Sequence, residues 1–470
     1  MKVNKTVLFL IISIFFVGTV EGQSLILFKS RRPIQPWSKN PSFWEYKGEP
    51  LILLGGSNDD NLFQWPEEIL IPHLDSMKLV GANYVRNTLS DRKDMGFELY
   101  PFKQLESGRY DLNEWNDEYW KRFETFLKET AKRDIIVQIE LWDRFDYSQK
   151  NWPPHPYNPD NNINYSKEES GFSDNYPDHA GSNKQPFFFT SPLQRDNESV
   201  FNFQKKFIDK VLSYTLKHRH VLYCIDNETS GDENWSSFWA DYIQSVADKK
   251  NKKICVTEMW DNWDMRTDIH RRTFDHPEKY QFCEVSQNTH QKGEAVWTNF
   301  QWVRNYIREK PRPINIVKTY GADTGRYGNS KDAVHRWWMH LIGGAASTRF
   351  HRPNSGLGLN ELAVTSISAA RKIESVVKFY VMEADNSLLL DRAEHEAYLA
   401  CKPGEAYVIF FPNGGDVRLN VDLGNSDFEI RWMDISTGEW QTEPQLFNLG
   451  NSTRITTPDK KAWVAVLKRA

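Results

Sequence analysis

VLYCIDNETS, residues 221–230, begins as five apolar residues and ends in two acids and an amide around Asn227. An apolar run without alternation, too short for an ordinary helix, is the pattern of a strand covered on both faces. ENWSSFWADYIQSVADKK follows it, with apolar residues at three- and four-residue steps, so a helix succeeds the strand. A strand covered on both faces and followed by an amphipathic helix is one unit of a parallel sheet, because parallel neighbours need a crossover.

The same unit recurs on either side. Strand-like runs are LILLGGSN (51–58), NYVRNTLS (83–90), IIVQIELWDRF (135–145), KICVTEMWD (253–261), YQFCEVSQN (280–288), INIVKTYG (314–321) and GAASTRFHRP (344–353), each leading into a helical or less regular segment. With VLYCIDNETS these make eight units, which predicts an α/β fold of the (β/α)8 TIM-barrel type, about 250 residues before insertions. An open doubly wound sheet would carry a glycine-rich phosphate loop after its first strand, and GGSNDD does not match GxGxxG.

Three regions are expected around this pattern. MKVNK followed by TVLFLIISIFFVGTV reads as a signal peptide over 1–22, with small residues from Gly18 to Gly22 offering a cleavage point. Residues 23–385 form the barrel. Residues 386–470 show alternating runs separated by PG, NGG, GN and STGE, the pattern of a small C-terminal antiparallel β-sandwich. The longest insertion, 146–195, is rich in Pro, Asn, Asp, Gly and aromatics and has no helical or strand period, so it reads as a wall of a substrate cleft.

Composition narrows the partners. A net charge of −4 on 470 residues gives no global pull toward nucleic acid or anionic membrane. The aromatic share of 14%, with 18 tryptophans, suits a large core or a cleft that stacks sugar rings. Four cysteines lack metal-site spacing and read as buried thiols, with disulfides the alternative in an exported protein. No HExxH or clustered histidine pattern appears, so neither metal nor cofactor is expected. The protein is expected to be secreted or periplasmic, off the membrane after signal cleavage, with a polysaccharide or oligosaccharide as its partner.

The polar ends of the strands carry the chemistry. In such barrels the C-terminal strand ends build the site. Strand four offers Asp226, Asn227 and Glu228; strand five Glu258 and Trp260; strand six Glu284; strand three Trp142 and Asp143. Strand two adds Arg86, strand seven Lys318 and Tyr320, and strand eight Arg349, His351 and Arg352. Converging carboxylates, arginines and tryptophans are costly to desolvate unless a site needs them. Glycoside hydrolysis needs two carboxyl groups flanking the bond, one acid and one nucleophile or base. Asp226, two residues before Glu228, is expected on the same side of the strand, where like charge would raise its neighbour's pKa. The basic residues of strands seven and eight, with Arg326, neutralise clustered carboxylates or hold a sulfate or uronate.

Arg86 on strand two, the Asn227–Glu228 pair on strand four and the C-terminal sandwich together resemble clan A glycoside hydrolases. WEYKGEPLILLGGSND near the start, GGAASTRFHRPNSGLGL at strand eight and RWMDISTGEW near the end are similar, more narrowly, to the apiosidase-like secreted bacterial barrels, whose appended domain is often labelled collagen-binding. The resemblance implies that Glu228 is the general acid/base. It also implies a nucleophilic Glu at the end of strand seven, where this sequence has Lys318 and Tyr320. Glu284 is then the preferred partner of Glu228, because alternate strands share an interior layer, with Glu258 in reserve. Three readings stand: a hydrolase of a plant or algal polysaccharide, neutral or acidic, a non-catalytic carbohydrate-binding barrel, and a polysaccharide lyase using Lys318 or Tyr320.

Overall fold

The computed structural model describes residues 32–323, 327–424, 426–441 and 443–470. The expected signal peptide and Arg326 lie outside them.

Every apolar run named above contains a strand. They are β1 (Leu53–Gly56), β2 (Tyr84–Thr88), β3 (Ile136–Asp143), β4 (Val221–Asn227), β5 (Val256–Thr257), β6 (Cys283–Glu284), β7 (Ile314–Asn315) and β8 (Ser347–Phe350). A curled parallel sheet of six runs in the order β5-β4-β3-β2-β1-β8, and β6 pairs with β7 in parallel beside it. Backbone bonds reach this pair from both edges: Gln281 N donates to Val256 O at 3.0 Å, and Arg349 N donates to Ile316 O at 2.9 Å. β5 is short because side chains replace its ladder; Gln281 Oε1 accepts from Val256 N, and Thr257 Oγ1 donates to Phe282 O.

A helix follows each strand: α1 (Glu67–Leu79), α2 (Asp117–Lys132), α3 (Glu198–Thr215), α4 (Glu233–Lys249), α5 (Asp268–Phe274), α6 (Glu294–Tyr306), α7 (Ser330–Ile342) and α8 (Glu361–Val376). In α4 the spacing read from the sequence becomes a buried stripe of Trp235, Trp239, Ile243 and Ala247, and Asp232 caps its first turn by accepting from Asn234 N. β3 and β4 are buried at every position, as a sheet covered on both faces requires.

Two features escape the repeating pattern. Strands Gln35–Trp37, Asn40–Tyr46 and Glu49–Leu51 form an antiparallel sheet before β1, and a hairpin, Phe102–Gln104 with Tyr110–Trp115, sits between β2 and α2. The first of these places fully buried Trp44 against the parallel strands, where its Nε1 donates to Asn315 Oδ1 at 2.9 Å and Asn315 Nδ2 donates to Tyr84 OH at 3.0 Å.

Residues 383–470 build two antiparallel sheets, one of seven strands and one of three (Leu389–Leu390, Asp416–Leu419, Thr453–Thr456). Their strands alternate with period two. Val408, Phe410, Val464 and Val466 face the core of the parallel sheet and its helices, whereas Ile409, Phe411, Ala465 and Leu467 face a second apolar cluster that Val417, Leu419 and Ile455 of the smaller sheet complete. Trp338 of α7 stacks on Phe410 across the boundary, with centroids 6.0 Å apart. All four cysteines are free and buried.

Candidate active site

Glu228 stands just past the end of β4 with φ +49, a left-handed conformation that costs a residue other than glycine of order 1–3 kcal/mol. The chain beyond it is held by the continuation of β5: Thr229 N donates to Met259 O, and Asp261 N to Thr229 O, each at 2.8 Å. The turn ends strand alternation at this point. As a result Asn227 and Glu228 both line one cavity of 220 Å³ at the C-terminal ends of the parallel strands.

Two side chains from the segment after β7 meet Glu228 there. Lys318 Nζ lies 2.7 Å from Glu228 Oε1, and Tyr320 OH donates to the same oxygen at 2.5 Å. Lys318 also donates to Asn227 Oδ1 at 2.5 Å, Asn227 Nδ2 to Asp143 Oδ2 at 3.0 Å, and Arg92 Nη2 lies 3.0 Å from that oxygen. Burial pushes the Glu228 carboxyl up, but the Lys318 charge and the hydrogen bonds from Lys318 and Tyr320 outweigh it and hold the group well below the usual carboxylate range. Burial and then the Glu228 charge push the Tyr320 phenol well above its ordinary value. At neutral pH the pair is therefore a carboxylate accepting from a phenol.

Asp60, from the GGSNDD segment after β1, also lines the cavity. It lies 2.6 Å from Arg86 Nη1 and 3.1 Å from Arg349 Nη2, with His351 Nδ1 and Arg352 Nε each at 3.5 Å. Burial raises its pKa, but the charges of Arg86, Arg349 and Arg352 hold it well below the usual range. Arg86 is shared with Glu140, Nε to Oε1 at 2.7 Å. Burial holds His351 far below the ordinary histidine value, so its ring is neutral. Among the described residues the lining carries two carboxylates, Asp60 and Glu228, against four cations, Arg86, Arg92, Lys318 and Arg352.

The other expected site residues lie elsewhere. Asp226 does not share a side with Glu228: its Oδ2 accepts from Arg144 Nε and Nη2 at 3.1 and 3.0 Å, and its Oδ1 from Trp235 Nε1 of α4 at 3.4 Å. Alternation that would have paired it with Glu228 stops at the left-handed residue. Glu258 is fully buried, and its Oε1 accepts from Asp226 N and Met259 N at 2.9 and 2.8 Å, so it acts as a backbone clamp outside the cavity lining. Burial, then Asp226, holds its carboxyl well above the ordinary range. Glu284 is also absent from the lining; Ser286 N donates to its Oε1 at 2.8 Å, and burial lifts its pKa to about 7.

Trp142 packs among Phe187, Phe207, Trp235 and Trp239, and Trp260 donates to Thr273 Oγ1, so both are core residues and not sugar platforms. Arg349 sits under the cavity as a prop for Asp60. Sequence reasoning missed Asp60, Arg92, Phe145, Tyr327 and Ser355 in the lining. For Asp60 a signal existed, an acidic pair at a strand end; for Tyr327, which follows β7 in a loop, none did.

The insertion after β3 does not line this cavity: among the described residues Phe145, just before it, does, and none of 146–195. Its aromatics Tyr147, Trp152, Tyr157 and Phe187 are buried among themselves, while Lys150, Asn151 and Pro154 line a second cavity of 160 Å³ that shares Arg92 with the first. Arg144 anchors the insertion, bonding Asp226 on one side, Asn183 Oδ1 at 2.7 Å on another, and lying 4.0 Å over the Phe188 ring.

A family model described as a domain of unknown function, DUF6298, matches residues 102–268, a span that holds β3, the insertion, β4 and Glu258 but neither Lys318 nor Tyr320. No curated protein matches the sequence. Among solved structures the chain is similar to a glycoside hydrolase family 5 protein from Bacteroides vulgatus, with 12% identity and a TM-score of 0.61 over 93% of this chain and 94% of that one. Another glycoside hydrolase gives a TM-score of 0.63 at 10% identity, over 93% and 97%. A family 5 mannosidase from Rhizomucor miehei in complex with mannosyl-fructose gives 0.51 at 12%, over 75% and 99%. The chain therefore shares the TIM-barrel-like fold of these hydrolases.

Proposed function

We propose that this chain is a glycoside hydrolase of an acidic plant or algal polysaccharide, built as a closed (β/α)8 barrel with a C-terminal β-sandwich and exported by the leader at 1–22. The observation that carries the reading is Glu228, a carboxylate brought into the cavity by a left-handed turn at the end of β4 and bonded there by Lys318 and Tyr320. The excess of cations in the lining favours a sulfate- or carboxylate-bearing glycan, since arginine forks suit oxyanions. In this reading Glu228 is the proton-transfer group, starting the cycle ionised. The finer, apiosidase-like reading rests on the three motifs quoted above.

A second reading has its own observation. Asp60, the other carboxylate in the lining, is tied to Arg86, Arg349 and Arg352, which suits a non-catalytic carbohydrate-binding barrel.

The test is product release by chromatography from neutral, sulfated and uronate-bearing polysaccharides. Wild type is expected to cleave an acidic one, Glu228→Gln to lose cleavage by about 100-fold or more, and Glu258→Gln and Glu284→Gln to keep it. Glycan binding without cleavage by any of the four proteins would overturn the hydrolase reading in favour of the binding barrel.

A further inference from the structure

We propose that Tyr320 is the nucleophile of this site and Glu228 its proton relay, acting on a sugar that carries a carboxylate held by Arg92 and Arg352. The inference rests on the hydrolase reading above and supplies the partner that reading lacks.

The phenol meets the geometric requirement of an activated nucleophile, with a base inside hydrogen-bond reach and that base oriented by a third group. Tyr320 OH is 2.5 Å from Glu228 Oε1, and Lys318 fixes that oxygen at 2.7 Å. Both contacts fall on Oε1, and among the described residues no hydrogen bond falls on Oε2, which leaves that oxygen for the substrate. The ring is held in place by Tyr327, His351 and His290, with centroids 4.5, 4.9 and 5.1 Å away, so the oxygen cannot swing from the cavity. A side chain serving only to stack a sugar would have no need of a charged acceptor on its hydroxyl.

Charge explains why a phenol would stand where a carboxylate is usual. A carboxylate attacking a carbon near a substrate carboxylate meets like-charge repulsion, whereas a phenol is neutral until its proton leaves. Arg92 and Arg352 line the same cavity with 14% and 30% of their side chains exposed, so both present guanidinium charge to an incoming oxyanion.

The chemistry balances on these groups alone. The Tyr320 oxygen bonds to the anomeric carbon as the glycosidic C–O bond breaks, while the phenol proton passes to Glu228 and on to the departing oxygen. Water then attacks that carbon and gives its proton to Glu228; the bond to Tyr320 breaks, and the phenol recovers the proton. Two displacements retain the anomeric configuration. A tyrosine nucleophile is an established variant of glycosidase chemistry.

The test uses the full chain with 4-methylumbelliferyl glycosides of a uronic acid and of a 2-keto sugar acid, followed by the matching fluorinated glycosyl fluorides and peptide mapping by mass spectrometry. Hydrolysis of one of the two names the carboxylate's position. Tyr320→Phe, which keeps the ring, is expected to lose about a thousandfold or more in kcat with little change in KM, and the wild type to gain one glycosyl group on the peptide bearing Tyr320. An adduct on Glu228 or another carboxylate, or a Tyr320→Phe rate within about tenfold of wild type, would overturn the inference and leave the hydrolase reading standing, whereas an unsaturated, ultraviolet-absorbing product would overturn both. If the wild type also leaves all glycosides and polysaccharides uncleaved, the hydrolase reading itself falls, and this inference with it.

Discussion

Lys318 Nζ lies 2.7 Å from Glu228 Oε1, although the two residues arrive from strands three places apart in the chain order. That contact decides the ionisation of the site, because burial alone would push Glu228 toward the neutral acid.

Replacing Lys318 with Met removes the charge and leaves burial as the largest influence, so the Glu228 pKa rises. The ionised form is then lost at a higher pH as acid is added. We expect the acid limb of the kcat/KM profile of Lys318→Met to move upward by at least one pH unit, roughly the effect of one close opposite charge. Stability follows the same sign: a depressed carboxyl pKa stabilises the fold above the unfolded value of about 4.3 and loses that contribution as pH falls. An acid limb that stays in place would show that Lys318 does not set the charge of Glu228.

Glu284 has the opposite linkage. Burial raises its folded pKa to about 7 from 4.5, so the folded protein keeps a proton that the unfolded chain releases. Its contribution is complete below pH 4.5 and declines as pH rises toward 7, by about 3 kcal/mol for a shift of this size. Glu284→Gln cannot titrate and is expected to flatten the dependence of Tm on pH between 4.5 and 7. A Tm slope identical to wild type in that window would place the titration elsewhere.

Arg144 and Asp226 are 1% and 0% exposed and join the insertion after β3 to β4. Arg144→Met leaves a buried carboxylate without its cation, a change that costs about 3–5 kcal/mol. Denaturant unfolding should show that loss, and pairing the change with Asp226→Asn should recover part of it. Limited proteolysis is expected to cut within 146–195 in the single variant first.

The eight parallel strands were legible because burial on both faces leaves an apolar run, as in VLYCI, and because helical spacing follows most of them; after KICVTEMWD, where the helix is only Asp268–Phe274, the segment read as irregular. Side-chain direction at the strand ends was not. Period-two reasoning put Asp226 beside Glu228, and one left-handed residue broke the period. Glu258 and Glu284 looked like catalytic partners because a buried acid in a strand reads the same whether it faces a cavity or clamps a backbone N–H. The partners found at Glu228, Lys318 and Tyr320, were visible in INIVKTYG only as a departure from the expected glutamate. Their meeting with Glu228 is a tertiary contact that no local pattern encodes. The sheet carrying Trp44 was hidden for a related reason: its strands are half-buried and lack the apolar run that marked the others.

Gly321 follows Tyr320 with φ +131, where residues bearing a Cβ are strained, and a Cβ there would lie 2.7 Å from Asn329 O and 2.8 Å from Ala333 N at the start of α7. Neither backbone atom can yield without moving the helix. Gly321 N also donates to Ser355 O at 2.9 Å, so the glycine ties the Tyr320 segment to the loop after β8. Gly321→Ala should therefore do two things: lower stability by about 1–3 kcal/mol through strain and overlap, and loosen Tyr320 from Glu228. The second effect separates positioning from folding. At a temperature where the variant remains fully folded by circular dichroism, kcat should fall while glycan binding persists, since Arg92 stands on another segment. A variant that is destabilised yet turns over at the wild-type rate would show that the Tyr320 hydroxyl does not need to be held where it is.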